Sequence, residues 1–223
     1  MDRGPTSAAY PAERAAALAG VPKSTLYYWA RTGLVIPSVS RERARRWSYA
    51  DLLVLRLVDW LRHDKPEIKI PKSSMQRIRR ELSKAEALGE NLLTQGVEVY
   101  VDARGRLVFG AEERMYVQLG HGLSQELVNT SVNLVRPFET PQGMRGPDLV
   151  WPRPTLRILP GKLSGEPHVD GTRIPTNAIV ALRGRGFGQD QILELYAVLT
   201  DQNVLEAIDL ESQLEANLHA RAA

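Results

Sequence analysis

The side chains grouped closely enough in this sequence to do chemistry are cations and phenols, not acids, bases and nucleophiles. Arg41, Arg43, Arg45 and Arg46 fall within six residues, and Trp47 ends the run. Upstream, Lys23, Ser24, Thr25, Tyr27, Tyr28 and Arg31 fall within nine. Guanidinium groups offer planar forks to phosphate oxygens, and short hydroxyls and phenols reach phosphates or base edges. That is the chemistry of holding a polyanion. Little points to catalysis. The four histidines, His63, His121, His168 and His219, stand far apart, and there is no cysteine. Zinc, which prefers clustered nitrogen and sulfur ligands, and disulfides are both expected to be absent. His168 and Asp170 have the residue types of an acid–base pair but no nucleophile or third partner beside them. "GRGFG" at 184–188 has the glycines of a phosphate loop, yet it joins two helical stretches instead of following a strand. We therefore expect no catalytic residue, no metal and no cofactor, and read the chain as not an enzyme.

The basic groups need elements to position them. "AERAAALA" is built of strong helix formers, and Gly20 sits where a helix C-cap belongs. Pro22 suits the start of a second helix, Lys23 to Thr32, closed by Gly33. Ala16, Leu18, Ala19, Val21, Leu26 and Trp29 can pack between the two. A helix–turn–helix of this kind lays its second helix in the DNA major groove. The arginine run would then be a wing, followed by a helix from Tyr49 to about His63 that Ser48 caps. "IPKSSMQRIRREL" supplies a further helix.

The middle of the chain reads differently. "GVEVYVDARGRLVFG" alternates apolar residues, turns at "DARGR" and resumes, which is a hairpin signal. "ERMYVQL" and "SVNLVRPF" are further strand candidates. Residues 137–154 contain five prolines and two glycines and read as a linker. Beyond it, "TLRIL" is a short strand and "GEPHVDGTRIP" a tight connection with Gly165 and Gly171 at positive φ. Arg173 is expected to reach a carboxylate or carbonyl there. Helices follow at about 176–185, 189–197 and 201–218, the last capped by Thr200, with Val204, Ile208, Leu214 and Leu218 as its apolar stripe and Leu205 and Leu210 flanking. The fold class expected is mainly α with a small β region. It comprises a winged helix–turn–helix over 1–82, a β-containing connector or dimerisation segment over 83–138, a Pro/Gly linker over 139–154 and a three-helix bundle over 155–223.

Charge divides along the chain. Residues 1–80 carry 16 Lys and Arg against 7 Asp and Glu, whereas residues 81–223 carry 13 against 19. A basic end suits nucleic acid and an acidic end suits some other partner. No apolar run reaches the roughly 18 residues of a membrane span, and the Ala-rich N-terminus carries Asp, Glu and Pro, unlike a signal peptide. A cytoplasmic location without membrane contact is expected.

Two stretches carry resemblances. Residues 10 to about 82, through "AGVPKSTLYYWARTGLV" and "RARRWSYADLLVLRLVDWLR", resemble the winged-helix DNA-binding domain of the MerR family. Thr25, Leu26, Tyr28, Arg31, Gly33 and Leu34 follow its pattern, Trp29 replaces a second tyrosine, and Arg45 and Trp47 fall where its wing has Arg and Tyr. Ser24 and Tyr27 depart from it, standing where arginines are usual. The resemblance implies DNA contact by Lys23, Ser24, Thr25, Tyr27, Tyr28, Arg31, Arg41, Arg43, Arg45, Arg46 and Trp47. The family's long dimerisation helix is not evident, and its metal-sensing cysteines are absent, so metal sensing and promoter untwisting are not carried over.

The second stretch, "GEPHVDGTRIP" with "LRGRGFGQDQILELYAVLT" and "DQNVLEAI", resembles bacterial domains of formerly unknown function that are described as antitoxin-like. Gly165, Pro167, Gly171, Thr172, Arg173, Ile174, Pro175, Gly186, Tyr196, Leu199 and Thr200 match. Ala197 stands where Pro is common, and Asp170 where Arg is. Such domains accompany a PIN-like ribonuclease, so this resemblance implies an antitoxin that neutralises that toxin, with Arg173, Arg183 and Arg185 as toxin contacts. A homodimer repressing its own operon would bind a palindrome with half-sites about one helical turn apart. The alternative is a free-standing MerR-like regulator with a ligand-sensing or dimerising C-terminal region.

Overall fold

The structure is a computed structural model that describes residues 8–42, 44–68, 70–88, 98–101, 107–111, 114–116, 130–140 and 143–220. It is mainly α with small antiparallel sheets, and divides into two compact units, residues 1–52 with 135–223, and residues 53–134. These units do not follow the four consecutive segments read along the chain. The first 52 residues and the last 89 fold together because the first helix packs between partners from both ends of the sequence.

That helix, α1 (Ala12–Ala19), buries six of its eight residues: Ala12, Ala15, Ala16, Ala17, Leu18 and Ala19. A surface helix buries one stripe. This one is enclosed because α2 (Lys23–Arg31) lies against it on one side and the last helix of the chain on another. Alanine serves two demands there: it favours helix and lets both neighbours approach. The helix stops at Gly20, whose φ of +66° returns its N–H to the carbonyls of Ala16 and Ala17. A Cβ at Gly20 would also sit 2.8 Å from the Phe138 ring. Leu26 and Trp29 turn inward from α2 and are fully buried, as the spacing required. Next, α3 (Tyr49–Arg62) begins at Ser48, whose Oγ accepts from the Asp51 N–H at 3.1 Å while Asp51 accepts from the Ser48 N–H at 2.7 Å. This reciprocal pair satisfies two orphan donors of the helix start.

In the unit formed by residues 53–134, α3 runs on with Leu55, Leu57, Val58 and Leu61 buried, and α4 (Met75–Leu88) contributes Ile78 and Leu82. The buried Arg56 guanidinium donates to the Leu134 carbonyl at 3.0 Å. Four strands make one sheet in the order β3–β2–β1–β4: β1 (Glu98–Val101), β2 (Leu107–Ala111), β3 (Arg114–Tyr116) and β4 (Thr130–Val132). The expected hairpin is β1 with β2, paired antiparallel with Val99 opposite Phe109; its "DARGR" turn lies outside the described residues.

In the other unit, the stretch read as a linker is packed. It contains β5 (Phe138–Glu139) paired with β6 (Arg145–Gly146), and buries Met144 and Leu149. Pro147 and Pro152 are buried in it, so this stretch packs against protein instead of spacing through solvent. Two further short strands pair, β7 (Leu156–Arg157) and β8 (His168–Val169), and three helices follow: α5 (Thr176–Gly184), α6 (Gln189–Leu195) and α7 (Asp201–His219). Thr200 caps α7 by accepting from Asn203, as expected. The buried face of α7 differs from its apolar stripe. Asn203, Glu206, Gln213 and Asn217 are buried with Val204, Ala207, Leu210 and Leu214, while Leu205 is exposed. The polar members are buried because loops and α1 supply partners: Asn217 donates to Ala17 and Arg145 carbonyls, and Gln213 to the Arg145 carbonyl.

Candidate nucleic-acid interface

The turn from α1 to α2 leaves α2 with a clear division of labour. Leu26 and Trp29 hold it to the core, and Ser24, Tyr27, Tyr28 and Arg31 stand exposed, with Lys23 and Thr25 half-buried. The exposed rings are not loose. The Lys23 ammonium lies 6.0 Å from the Tyr27 ring centroid and the Arg31 guanidinium 5.9 Å from that of Tyr28. Lys23 also meets Glu13 of α1 at 2.6 Å, and that hydrogen bond holds its pKa above the usual lysine value.

The wing is a short hairpin. Ser40 and Arg46 exchange backbone hydrogen bonds at 3.2 and 3.0 Å, and Tyr10 pairs with Trp47 at its base. Arg41 and Arg46 are exposed and Arg45 half-buried, while Arg43 lies outside the described residues. Trp47 departs from the expected DNA-contact set. It is fully buried and belongs to the core, so it offers nothing to a DNA surface. A tryptophan beside arginines gives no sign of direction in sequence; the backbone pairing with Tyr10 turns it inward.

Asp51 fixes where the wing leaves and returns. Its Oδ2 accepts from the Ser38 N–H at 2.9 Å, the Ser38 hydroxyl at 2.9 Å and the Ser48 N–H at 2.7 Å, joining both ends of the hairpin. Burial pushes the Asp51 pKa up, and the hydrogen bonds from Ser38 and Ser48 oppose that rise. The Ser-x-x-Asp spacing at 48–51 signals a helix cap, but the two contacts with Ser38 have no local signature. Between α2, the start of α1 and the wing lies an open cleft of about 500 Å³. Tyr27, Arg41, Arg45 and Arg46 line it, with Glu13 and Glu42 at its acidic positions. Three guanidinium groups converging on an open cleft beside an exposed helix face suit phosphate oxygens.

The C-terminal arginines are not brought together. Arg173 precedes α5, and Arg183 and Arg185 stand at its far end, roughly 13 Å away by helix rise. All three are exposed. Arg173 reaches no carboxylate or carbonyl among the described residues, contrary to expectation. The turn before it is held without it: Thr172 donates to the Val169 carbonyl at 2.9 Å and accepts from the Ile174 N–H at 3.1 Å. Gly165 and Gly171 have φ of +83° and +73°, as read. His168 is fully buried, its Nδ1 2.9 Å from the Glu166 carbonyl, and burial lowers its pKa. Its setting is that of a neutral core histidine. Among the described residues no group of three or more His, Cys, Asp or Glu is placed to hold a metal, and no helix is long and apolar enough to cross a membrane.

Sequence reasoning missed the contact between the two ends of the chain. Arg14 of α1 holds Glu211 of α7 through two hydrogen bonds of 2.6 and 2.8 Å, and Glu166 at 2.8 Å. Thr176 donates to Glu211 as well. Tyr10 donates to the Gly165 carbonyl at 2.8 Å, and burial raises its pKa well above the ordinary tyrosine value. The helix–turn–helix and the C-terminal bundle thus share one buried polar seam.

Comparison with known proteins agrees with this division. Residues 10–69 match the MerR HTH family of regulatory proteins, and residues 157–209 match a family described as protein of unknown function, DUF433. The chain therefore carries a MerR-type helix–turn–helix domain, of the kind found in DNA-binding regulators, toward its N-terminus and a DUF433 domain toward its C-terminus. No curated protein matches it. Among solved structures, the crystal structure of Rv2018 from Mycobacterium tuberculosis is similar at 16% identity with a TM-score of 0.45, over 92% of this chain and 97% of that one.

Proposed function

We propose that this chain is an antitoxin that binds operator DNA through its MerR-type domain and neutralises a PIN-like ribonuclease through its DUF433 domain. As a homodimer it represses its own operon. The observation that carries the DNA-binding part is the exposed set Ser24, Tyr27, Tyr28 and Arg31 on α2, beside a wing whose Arg41, Arg45 and Arg46 line the same cleft. α2 enters the major groove and the wing arginines take phosphates. The nuclease part is supported by the antitoxin-like motif around Gly171–Pro175 and by the acidic balance beyond residue 80.

Two measurements test this. Fluorescence anisotropy with DNA from upstream of the gene, across a salt series, should give affinity that falls steeply with salt. Arg45→Ala should reduce the salt slope by about 1, as expected for a lost phosphate contact. Affinity flat across the series removes the DNA-binding role. Co-expression with the product of the adjacent gene should yield a complex whose ribonuclease activity appears only after separation. A complex that fails to form removes the antitoxin role and favours a free-standing regulator. One observation favours that second reading: an open groove of about 790 Å³ lined by Phe138, Trp151, Arg136, Arg145 and Arg153, large enough for a small effector.

A further inference from the structure

Helices α6 and α7 and their connection, residues 189–219, contain seven carboxylates and no lysine or arginine. Four of the seven are answered within the protein. Glu211 is held by Arg14, Asp209 by Arg153 at 2.6 Å, Glu215 by His219 at 2.8 Å, and Glu206 by the Thr155 N–H and hydroxyl at 2.8 and 2.7 Å with the Arg153 charge acting on it. The other three, Asp190, Glu194 and Asp201, have no cationic partner among the described residues; Asp201 accepts only from the neutral Gln189 amide. These three flank the most exposed aliphatic side chains of the described residues. Leu195 is 56% exposed, Val198 65% and Leu205 53%, all within eleven residues.

Single exposed aliphatics are ordinary on a protein surface, whereas a cluster marks a binding site. All three lie on the connected pair of helices α6 and α7. Leu195 and Val198 straddle the end of α6, and the Gln189–Asp201 hydrogen bond ties the start of α6 to the start of α7. Leu205 follows Asp201 by one helical turn on the same outer face, opposite the buried positions 203, 207, 210 and 214. Apolar side chains ringed by unneutralised carboxylates match a partner with an apolar centre and a lysine- or arginine-rich rim.

We infer that Leu195, Val198 and Leu205, rimmed by Asp190, Glu194 and Asp201, form the surface on which the ribonuclease docks. This rests on the antitoxin reading and names the face that reading leaves open. A nuclease surface that handles RNA is basic, so charge complementarity favours it as the occupant over a second copy of this acidic face.

The test uses the full chain with the adjacent-gene nuclease as probe, in binding titrations of four proteins: wild type, the triple variant L195S/V198S/L205S, E194K, and R183A/R185A. Thermal unfolding and operator binding are measured in parallel. The triple variant is expected to bind the nuclease at least about tenfold more weakly, as loss of a small apolar anchor cluster implies. Glu194→Lys, which removes no apolar contact, should weaken binding several-fold at low salt and less at high salt. Both should keep operator binding and unfolding midpoint. Nuclease binding unchanged in both variants overturns the docking face while leaving the antitoxin reading intact, and loss confined to R183A/R185A would relocate the contact. A triple variant that instead converts a dimer to a monomer assigns the patch to a second copy and also overturns it. Failure of the wild type to bind the nuclease removes the antitoxin reading and this inference together.

Discussion

Arg14→Ala is the substitution that most directly tests the seam between the two ends of the chain. The Arg14 side chain is 13% exposed, and Glu211 and Glu166 are 12% and 22% exposed. The guanidinium makes three hydrogen bonds of 2.6 to 2.8 Å to those two carboxylates. Desolvation works against the charged guanidinium, but Glu211 and then Glu166 outweigh it and leave the Arg14 pKa raised. Burial raises the Glu166 pKa, and Arg14 opposes that rise. Removing Arg14 therefore leaves two carboxylates in a poorly solvated site without a counter-charge. Breaking a buried pair in this way costs about 3–5 kcal/mol. At ~2–4 °C per kcal/mol for a chain of this size, the unfolding midpoint should fall by roughly 6–20 °C. Urea unfolding followed by tryptophan fluorescence of a Trp60→Phe background reads the right unit, because the other three tryptophans lie in it and Trp29 and Trp47 are fully buried there. Two controls separate charge from packing. Arg14→Met keeps most of the volume and should cost nearly as much as alanine. Adding Glu166→Gln and Glu211→Gln to Arg14→Met should recover a large part of the loss, because no charge is then stranded. A cost below about 1 kcal/mol for Arg14→Ala, or no recovery in the triple variant, would refute the reasoning and make the cluster equivalent to an exposed ion pair.

Gly165→Ala should destabilise the same unit by about 2–4 kcal/mol, combining positive φ with overpacking, since a Cβ there would lie 2.2 Å from the Tyr10 hydroxyl at a φ of +83°. Denaturant melts of G165A, Y10F and the double variant check this, and the double should cost less than the sum of the singles because Y10F removes the clashing oxygen. In the other unit, burial lowers the Lys65 pKa to about 8 from 10.5, against the opposing pull of Asp64 and Asp59. A base with a depressed folded pKa binds fewer protons folded than unfolded between those values, so its contribution to stability grows as pH rises from about 8 to 10.5 and is absent below about 8. NMR of the Lys65 side chain should give a midpoint near 8, and unfolding free energy should lose that rise in Lys65→Met; a midpoint above 10 would show the ammonium to be solvated.

Local structure in this chain was written in local sequence. The helix over 12–19, its Gly20 stop, the Ser48 and Thr200 caps and the positive φ of Gly165 and Gly171 each follow from a residue and its immediate neighbours. The tertiary arrangement was not. Arg14 meets Glu166 and Glu211 across 152 and 197 residues of separation, and nothing in "AERAAALA" distinguishes a helix buried on one side from one buried on two. Periodicity also misled on α7: the expected apolar stripe had Leu205 on its flank, where it is exposed, and did not include Asn217, which is buried. An amide is buried there because α1 and the β6 strand supply its partners, and those partners are remote in sequence. In the candidate interface, the arginine run was visible, whereas the inward turn of Trp47 and the Ser38–Asp51 closure depended on backbone pairing that composition does not encode.

The shared position of α1 has a thermodynamic consequence for any partner of the C-terminal bundle. On one side α1 supports α2, and through Glu13 and Lys23 it touches the first residue of that helix. On the other it is held by α7 through Arg14 and by Asn217 at the Ala17 carbonyl. A ligand shifts another site only through a difference in its affinity for two states of the protein. Under the proposed function, the element through which such a difference would pass is α1, which α7 holds through Arg14 and Asn217. If the proposed partner's affinity depends on that seating of α1 on α7, its binding would also bias α2 and the base of the wing, where Tyr10 pairs with Trp47. Because coupling free energy is reciprocal, operator DNA would then change partner binding by the same factor by which the partner changes operator binding. Arg14 variants should reduce both factors together, even though Arg14 is buried away from either surface.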